Sequence, residues 1–73
     1  MKRFTVQVWR DARLFIEQGV EDEKTADGFF NFLVDSRKAR KDRQLWEVEL
    51  IDHESGMEKV WCNEFGTMTC YHG

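Results

Sequence analysis

Residues 21–41, EDEKTADGFFNFLVDSRKARK, decide the fold class of this 73-residue chain. The stretch opens with acidic and hydroxyl side chains, which cap free N–H groups at a helix N-terminus, and it ends with the basic side chains that suit a C-terminus. Apolar side chains recur between these ends at helical spacing, which predicts a helix over about residues 23–41. The face predicted to cover the rest of the domain contains Ala26, Phe29, Phe30, Leu33 and Arg37.

The same stretch allows a second interpretation. Asp27-Gly28 is a hairpin-turn dipeptide, and residues 29–34 form a short aromatic and β-branched run that could be a strand. The fold would then be a small all-β barrel or meander. Because residues 37–43 would become a long unsupported loop, the helix is the favoured interpretation.

Strand patterns precede the predicted helix. Phe4, Val6 and Val8 alternate with other residues, which is typical of a strand with one buried face. After residues 10–13, Arg10-Asp11-Ala12-Arg13, a second alternating stretch contains Leu14, Ile16 and Gln18. Four residues between two such runs suit a hairpin connection, so the first two strands are predicted to pair.

Strand patterns also follow the predicted helix. Residues 46–50 alternate apolar and acidic side chains, and residues 57–65 return as the partner strand after a turn cluster at 52–56. The predicted fold is therefore α+β, a small antiparallel sheet with one covering helix, in the order β-β-α-β-β. We expect one domain over residues 1–65, followed by a tail at 66–73 whose sequence has no periodicity.

Size and composition limit the class of protein. A domain this small buries only about 60–65% of the surface of its unfolded chain, and an aromatic content of 14% supplies the density its core needs. No apolar run approaches the ~18–20 residues of a membrane span. Cys62 and Cys70 are too few for a secreted disulfide framework, so we expect a soluble protein in the reducing cytoplasm.

No catalytic or cofactor motif stands out, so the chain is predicted not to be an enzyme and to bind no cofactor. His53 and Ser55 lie close together, but inside a turn cluster. Cys62, Cys70, His72 and His53 could supply four zinc ligands. Their spacing matches no C-x2-C pair and no closely spaced histidine pair, and no metal site is predicted.

The net charge of −3 is the remainder of four blocks of opposite sign. Residues 1–13 carry +3, residues 14–36 carry −5, residues 37–43 carry +4 and residues 44–73 carry −5. The second basic block suggests an RNA- or DNA-binding domain as the alternative function, although the pI near 5.3 is far below that of most nucleic-acid modules. Its candidate phosphate ligands are Arg37, Lys38, Arg40, Lys41 and Arg43.

Surplus aromatic residues point instead to a protein interface. Trp9 falls on the opposite strand face from Val8, and Phe32 lies roughly 100° from the centre of the apolar helix stripe. Exposed aromatic residues flanked by charge are typical of interfaces. In size and composition the chain resembles the small inhibitors and adaptors that phages encode, which implies a non-enzymatic module that docks on a larger protein or pairs with a second copy. The predicted partner-binding residues are Trp9, Phe32, Glu21, Asp22, Glu23, Glu47 and Glu49.

Overall fold

The computed structural model describes residues 2–40 and 43–71. In these residues the strands form one antiparallel sheet in the order β2-β1-β3-β4-β5, and the helix covers one of its faces. The elements along the chain are β1 (Phe4–Arg10), β2 (Arg13–Val20), α1 (Glu23–Lys38), β3 (Trp46–Asp52), β4 (Met57–Cys62) and β5 (Gly66–Tyr71). The α+β prediction is confirmed and the all-β alternative is wrong. The segment 66–73, for which no structure was predicted, contributes β5.

The β1–β2 hairpin forms at residues 10–13 as predicted, but its turn has two residues rather than four, because Arg10 and Arg13 belong to the paired strands. Asp11 and Ala12 both have left-handed backbones, with φ of 50° and 67°, and such turns match the twist of paired strands. Asp11 also holds the turn against the residue before β3, because its N–H donates to the Leu45 carbonyl and its carboxylate accepts from the Leu45 N–H, both at 2.9 Å. The hairpin tip is therefore fixed beside the start of β3.

A β-bulge interrupts the regular alternation of β2. Val8 pairs with Ile16 but Trp9 pairs with Leu14, so Phe15 is the extra residue. The bulge places Leu14 on the same face as Trp9, whereas the sequence alternation groups it with Ile16. It also lets the Phe15 ring reach Trp46 on the face that the helix covers, where the ring centroids lie 5.7 Å apart.

The helix begins where the sequence predicts and ends earlier. Asp22 is the N-cap, and its carboxylate accepts hydrogen bonds from the Thr25 hydroxyl and from the Thr25 N–H, the latter at 2.7 Å. These bonds lower the pKa of Asp22 below its ordinary value. At the other end, Ala39 is the C-cap and its N–H donates to the Asp35 carbonyl. The helix therefore stops at Lys38 rather than near residue 41.

The core lies between α1 and the covered face of the sheet. Phe29 is only partly buried, while Val34, which lies off the centre of the predicted stripe, is buried. The apolar stripe of the helix is thus wider than predicted. Phe32 remains outside it, 59% exposed. The core side chains of the sheet are Phe4, Val6, Val8, Val20, Trp46, Val48, Leu50 and Trp61, and those of the helix are Ala26, Phe30, Leu33 and Val34.

Candidate functional site

One face of the sheet is left uncovered by the helix, and we call it the open face. Its residues alternate with core residues along each strand. The basic residues of the strands lie on the other face, because Arg10 pairs with both Arg13 and the buried Trp46, and Lys59 pairs with the buried Leu50. The open face includes Gln7, Trp9, Leu14, Glu17, Glu47, Glu49, Glu58, Val60 and Met68.

A row of paired residues crosses the open face from one edge of the sheet to the other. Glu17 pairs with Gln7 and Gln7 with Glu49, so the β2 side of the row is polar and acidic. Glu49 pairs with Val60 and Val60 with Met68, which makes the β5 side apolar. Met68 is 59% exposed. Along this row the open face therefore has an acidic side and an apolar side.

Glu49 is the most perturbed carboxyl group of the open face. Its pKa is raised from 4.5 to about 7, chiefly by partial burial and in part by a hydrogen bond with Glu58 on β4 and by charge repulsion from it. Repulsion from Glu47, two residues earlier on the same face, acts in the same direction. The buried indole N–H of Trp9 makes no hydrogen bond within the described residues, so it does little to offset the rise. Near neutral pH, Glu49 therefore exchanges a proton with solvent.

Glu49→Gln should remove part of the pH dependence of stability. Because the folded-state pKa of Glu49 is raised, its stabilising contribution is complete below pH 4.5 and is lost as the pH rises towards 7. The variant is neutral throughout, so at pH 8 we expect it to exceed the wild type in free energy of unfolding by about 1 kcal/mol, a value reduced for solvent screening. Urea titrations at pH 4.5 and 8 measure the difference. The same substitution at exposed Glu64 serves as control, and equal pH profiles for both variants would contradict the assignment.

The predicted partner-binding residues do not form one surface. Trp9, Glu47 and Glu49 lie together on the open face, where Trp9 pairs with Glu47. Phe32 projects from α1, on the other side of the sheet. Residues 21–23 surround the helix N-terminus, where Asp22 is engaged as the N-cap. The residues that sequence reasoning missed on the open face are Leu14, Glu17, Glu58, Val60 and Met68.

A second surface, which we call the basic end, lies where the β1–β2 hairpin meets the C-terminal part of α1. The guanidinium groups of Arg37 and Arg40 stack on the Trp46 ring, with 4.3 and 5.3 Å to its centroid. Arg37 also lies 5.7 Å from the centroid of Phe15, and Arg10 lies 5.3 Å from it. The basic end consists of Arg10, Arg13, Phe15, Arg37, Arg40 and Trp46.

The basic end differs from the segment that the sequence suggested for nucleic-acid binding. Of that segment, Arg37 and Arg40 belong to the basic end. Lys38 and Arg43 are exposed but make none of its ring contacts, and Lys41 lies outside the described residues. Arg10 and Arg13 come from the other basic block and Phe15 follows it, and all three were missed. No sequence signal links them to residue 37, because their contact depends on the strand order.

The turn and cysteine residues show no shared chemistry. The Thr5 hydroxyl is hydrogen-bonded to His53 at 2.7 Å, while the Ser55 hydroxyl donates to Asp52 at 2.8 Å, so the two turn residues have separate partners. Cys62 is a buried free thiol and Cys70 an exposed one. Among residues 2–40 and 43–71, no group of three or more potential ligands could hold a metal ion, and His72 lies outside those ranges.

Comparisons with known proteins do not assign this chain to a family. No protein-family model, curated protein or solved structure matches it. Within the described part of the chain, no helix is long and apolar enough to cross a membrane. The function is therefore inferred from the open face and the basic end.

Proposed function

We propose that this protein is a non-enzymatic protein-binding module that docks its open face on the basic surface of a larger protein, as a phage-type inhibitor or adaptor in the cytoplasm would. One observation carries the proposal. The open face has glutamates at four strand positions, several apolar side chains, and no lysine or arginine at its strand positions. Complementary charge of this kind raises the association rate and selects the partner.

Apolar side chains towards both edges of the open face supply the other requirement of a stable interface. Met68 and Val60 lie side by side on the last two strands, and Leu14 pairs with Trp9 near the opposite edge. Apolar and aromatic side chains that become buried in an interface slow dissociation. A standard interface covers about 800 Å² of each partner. That is roughly a sixth of the 5057 Å² accessible surface of this protein.

Charge reversal at Glu49 tests the proposal. In Glu49→Lys the new ammonium group would lie near Glu47 and Glu58, so we expect the fold to be retained while the face loses its acidic centre. A protein that co-purifies with the wild type from the native host is to be purified and titrated by calorimetry. We expect it to bind Glu49→Lys about tenfold more weakly or worse.

Two controls make the result specific to the open face. Glu64→Lys changes the net charge equally at an exposed site between β4 and β5, and it should bind as the wild type does. Phe32→Ser removes the exposed aromatic residue of the helix and should also leave binding unchanged. If Glu49→Lys binds as tightly as Glu64→Lys, or if Phe32→Ser abolishes binding, the open face is not the interface. If no other protein co-purifies and sedimentation shows that the protein binds a second copy of itself, the open face forms a homodimer and does not dock on a larger protein.

A further inference from the structure

We propose that the basic end is a second binding site, which takes single-stranded nucleic acid. The site is separate from the open face, and its existence does not depend on the proposed protein partner. The observation behind it is the convergence of arginines from two distant segments around one exposed aromatic ring, that of Phe15.

The two basic blocks of the sequence meet in the fold. Arg10 and Arg13 flank the β1–β2 turn, and Arg37 and Arg40 lie at the C-terminal end of α1. Phe15 and Trp46 connect the two groups, because Arg37 contacts both rings. A cationic surface is therefore built from residues that are 24 or more positions apart in sequence. A pI of 5.3 does not argue against it, since the pI describes the whole chain and the four strand glutamates lie on the open face rather than at the basic end.

Arg10 and Arg13 point specifically to an anion. They are directly paired across the hairpin, and like charges directly opposite each other on paired strands are destabilising. The one carboxylate inside the turn, that of Asp11, is used to accept the Leu45 N–H. A phosphate between the two guanidinium groups would remove the repulsion and accept hydrogen bonds from both.

The exposed ring of Phe15 favours single-stranded over double-stranded nucleic acid as the ligand. The bulge holds its ring on the surface at 52% exposure, between arginines that stack on it. Aromatic rings and stacked guanidinium groups are platforms for unpaired bases, while neighbouring cations follow the phosphate backbone. In a duplex the bases are already stacked on each other, and only the phosphate contacts would remain.

Fluorescence anisotropy with a labelled single-stranded thymidine 12-mer tests the site. If four arginines each contact a phosphate, the logarithm of the affinity falls with a slope of about −2.8 against the logarithm of salt, so raising sodium chloride from 50 to 200 mM weakens binding about 50-fold. We expect a duplex of the same length to bind more weakly. Absence of binding at 50 mM salt, or tighter binding of the duplex, would overturn the proposal.

Matched variants locate the binding. Phe15→Leu should weaken binding about fivefold or more, whereas the same change at Phe32, which is similarly exposed, should have no effect. Arg13→Ala should reduce the magnitude of the salt slope by about 0.7, and Lys24→Ala should not. Equal behaviour within either pair would refute the site. Glu49→Lys should keep its nucleic-acid binding, which separates a failure of this site from a failure of the open face.

Discussion

Trp46→Ala should remove a large part of the free energy of unfolding of this domain at room temperature. Trp46 is 1% exposed and is among the largest fully buried side chains. Truncation of a buried tryptophan to alanine costs about 3–5 kcal/mol. At about 0.05–0.15 kcal/mol per residue, a domain of this length has only about 4–11 kcal/mol in total. Urea denaturation followed by far-UV circular dichroism measures the loss.

The contacts of Trp46 explain why its loss should exceed that of another tryptophan. The side chain begins β3, meets Phe15 edge-on, and carries the stacked guanidinium group of Arg37. Its removal therefore opens the core and releases the basic end together. Trp9→Ala is the matched control, because Trp9 lies only partly buried on the open face and should cost clearly less. Similar unfolding midpoints for the two variants would show that Trp46 is not a core anchor.

Much of the fold could be predicted because its signals are local. The N-cap at Asp22, the apolar spacing through Leu33 and the basic last turn each lie within a few residues of the structure they specify. The hairpin at residues 10–13 has the same property, since a short connection between two alternating runs favours a hairpin. Local agreement of this kind established both the helix and the α+β class.

The rest could not be predicted because it depends on strand order and register. Alternation assigns Glu49 to a face, but only the β3–β4 register brings Glu58 beside it. The strand β5 is an edge strand whose residues are exposed on both faces after Gly66, so selection for burial leaves no alternating pattern there. The bulge at Phe15 is likewise invisible in sequence, and it decides which face Leu14 joins.

The separation of charge by the fold links the two proposed sites. In sequence, the acidic and basic blocks alternate and nearly cancel. In the structure, the strand glutamates lie on the open face, while Arg10 and Arg13 lie with Arg37 on the other side of the sheet. A phosphate backbone is repelled by the first surface and attracted by the second. The two ligands would therefore bind without competing for the same residues.

At the end of β3, the Asp52 carboxylate holds together the turn that precedes β4. It accepts two hydrogen bonds from the Arg3 guanidinium at 3.1 Å, one from the Glu54 N–H at 3.0 Å and one from the Ser55 hydroxyl at 2.8 Å. The bonds from Arg3 are the main reason that the pKa of Asp52 lies well below its usual range, and those from the turn add to the effect. The charged carboxylate thus joins the start of β1 to the β3–β4 turn.

Asp52→Asn should lower the melting temperature at pH 7 on the order of 10 °C, because losing the partner of charge-assisted hydrogen bonds is costly in a domain of this size. A lowered folded-state pKa stabilises the protein above the ordinary value of 3.8, and this contribution is lost as the pH falls through the folded-state value. The variant should therefore also show a shallower loss of stability on acidification. Calorimetry between pH 2 and 7 measures both effects.

Glu54→Gln is the control, because it makes the same chemical change at a largely exposed carboxylate 3.5 Å from Arg3. Its melting temperature should stay within a few degrees of that of the wild type. Equal melting temperatures for the two variants would mean that the Arg3–Asp52 pair does not hold this turn.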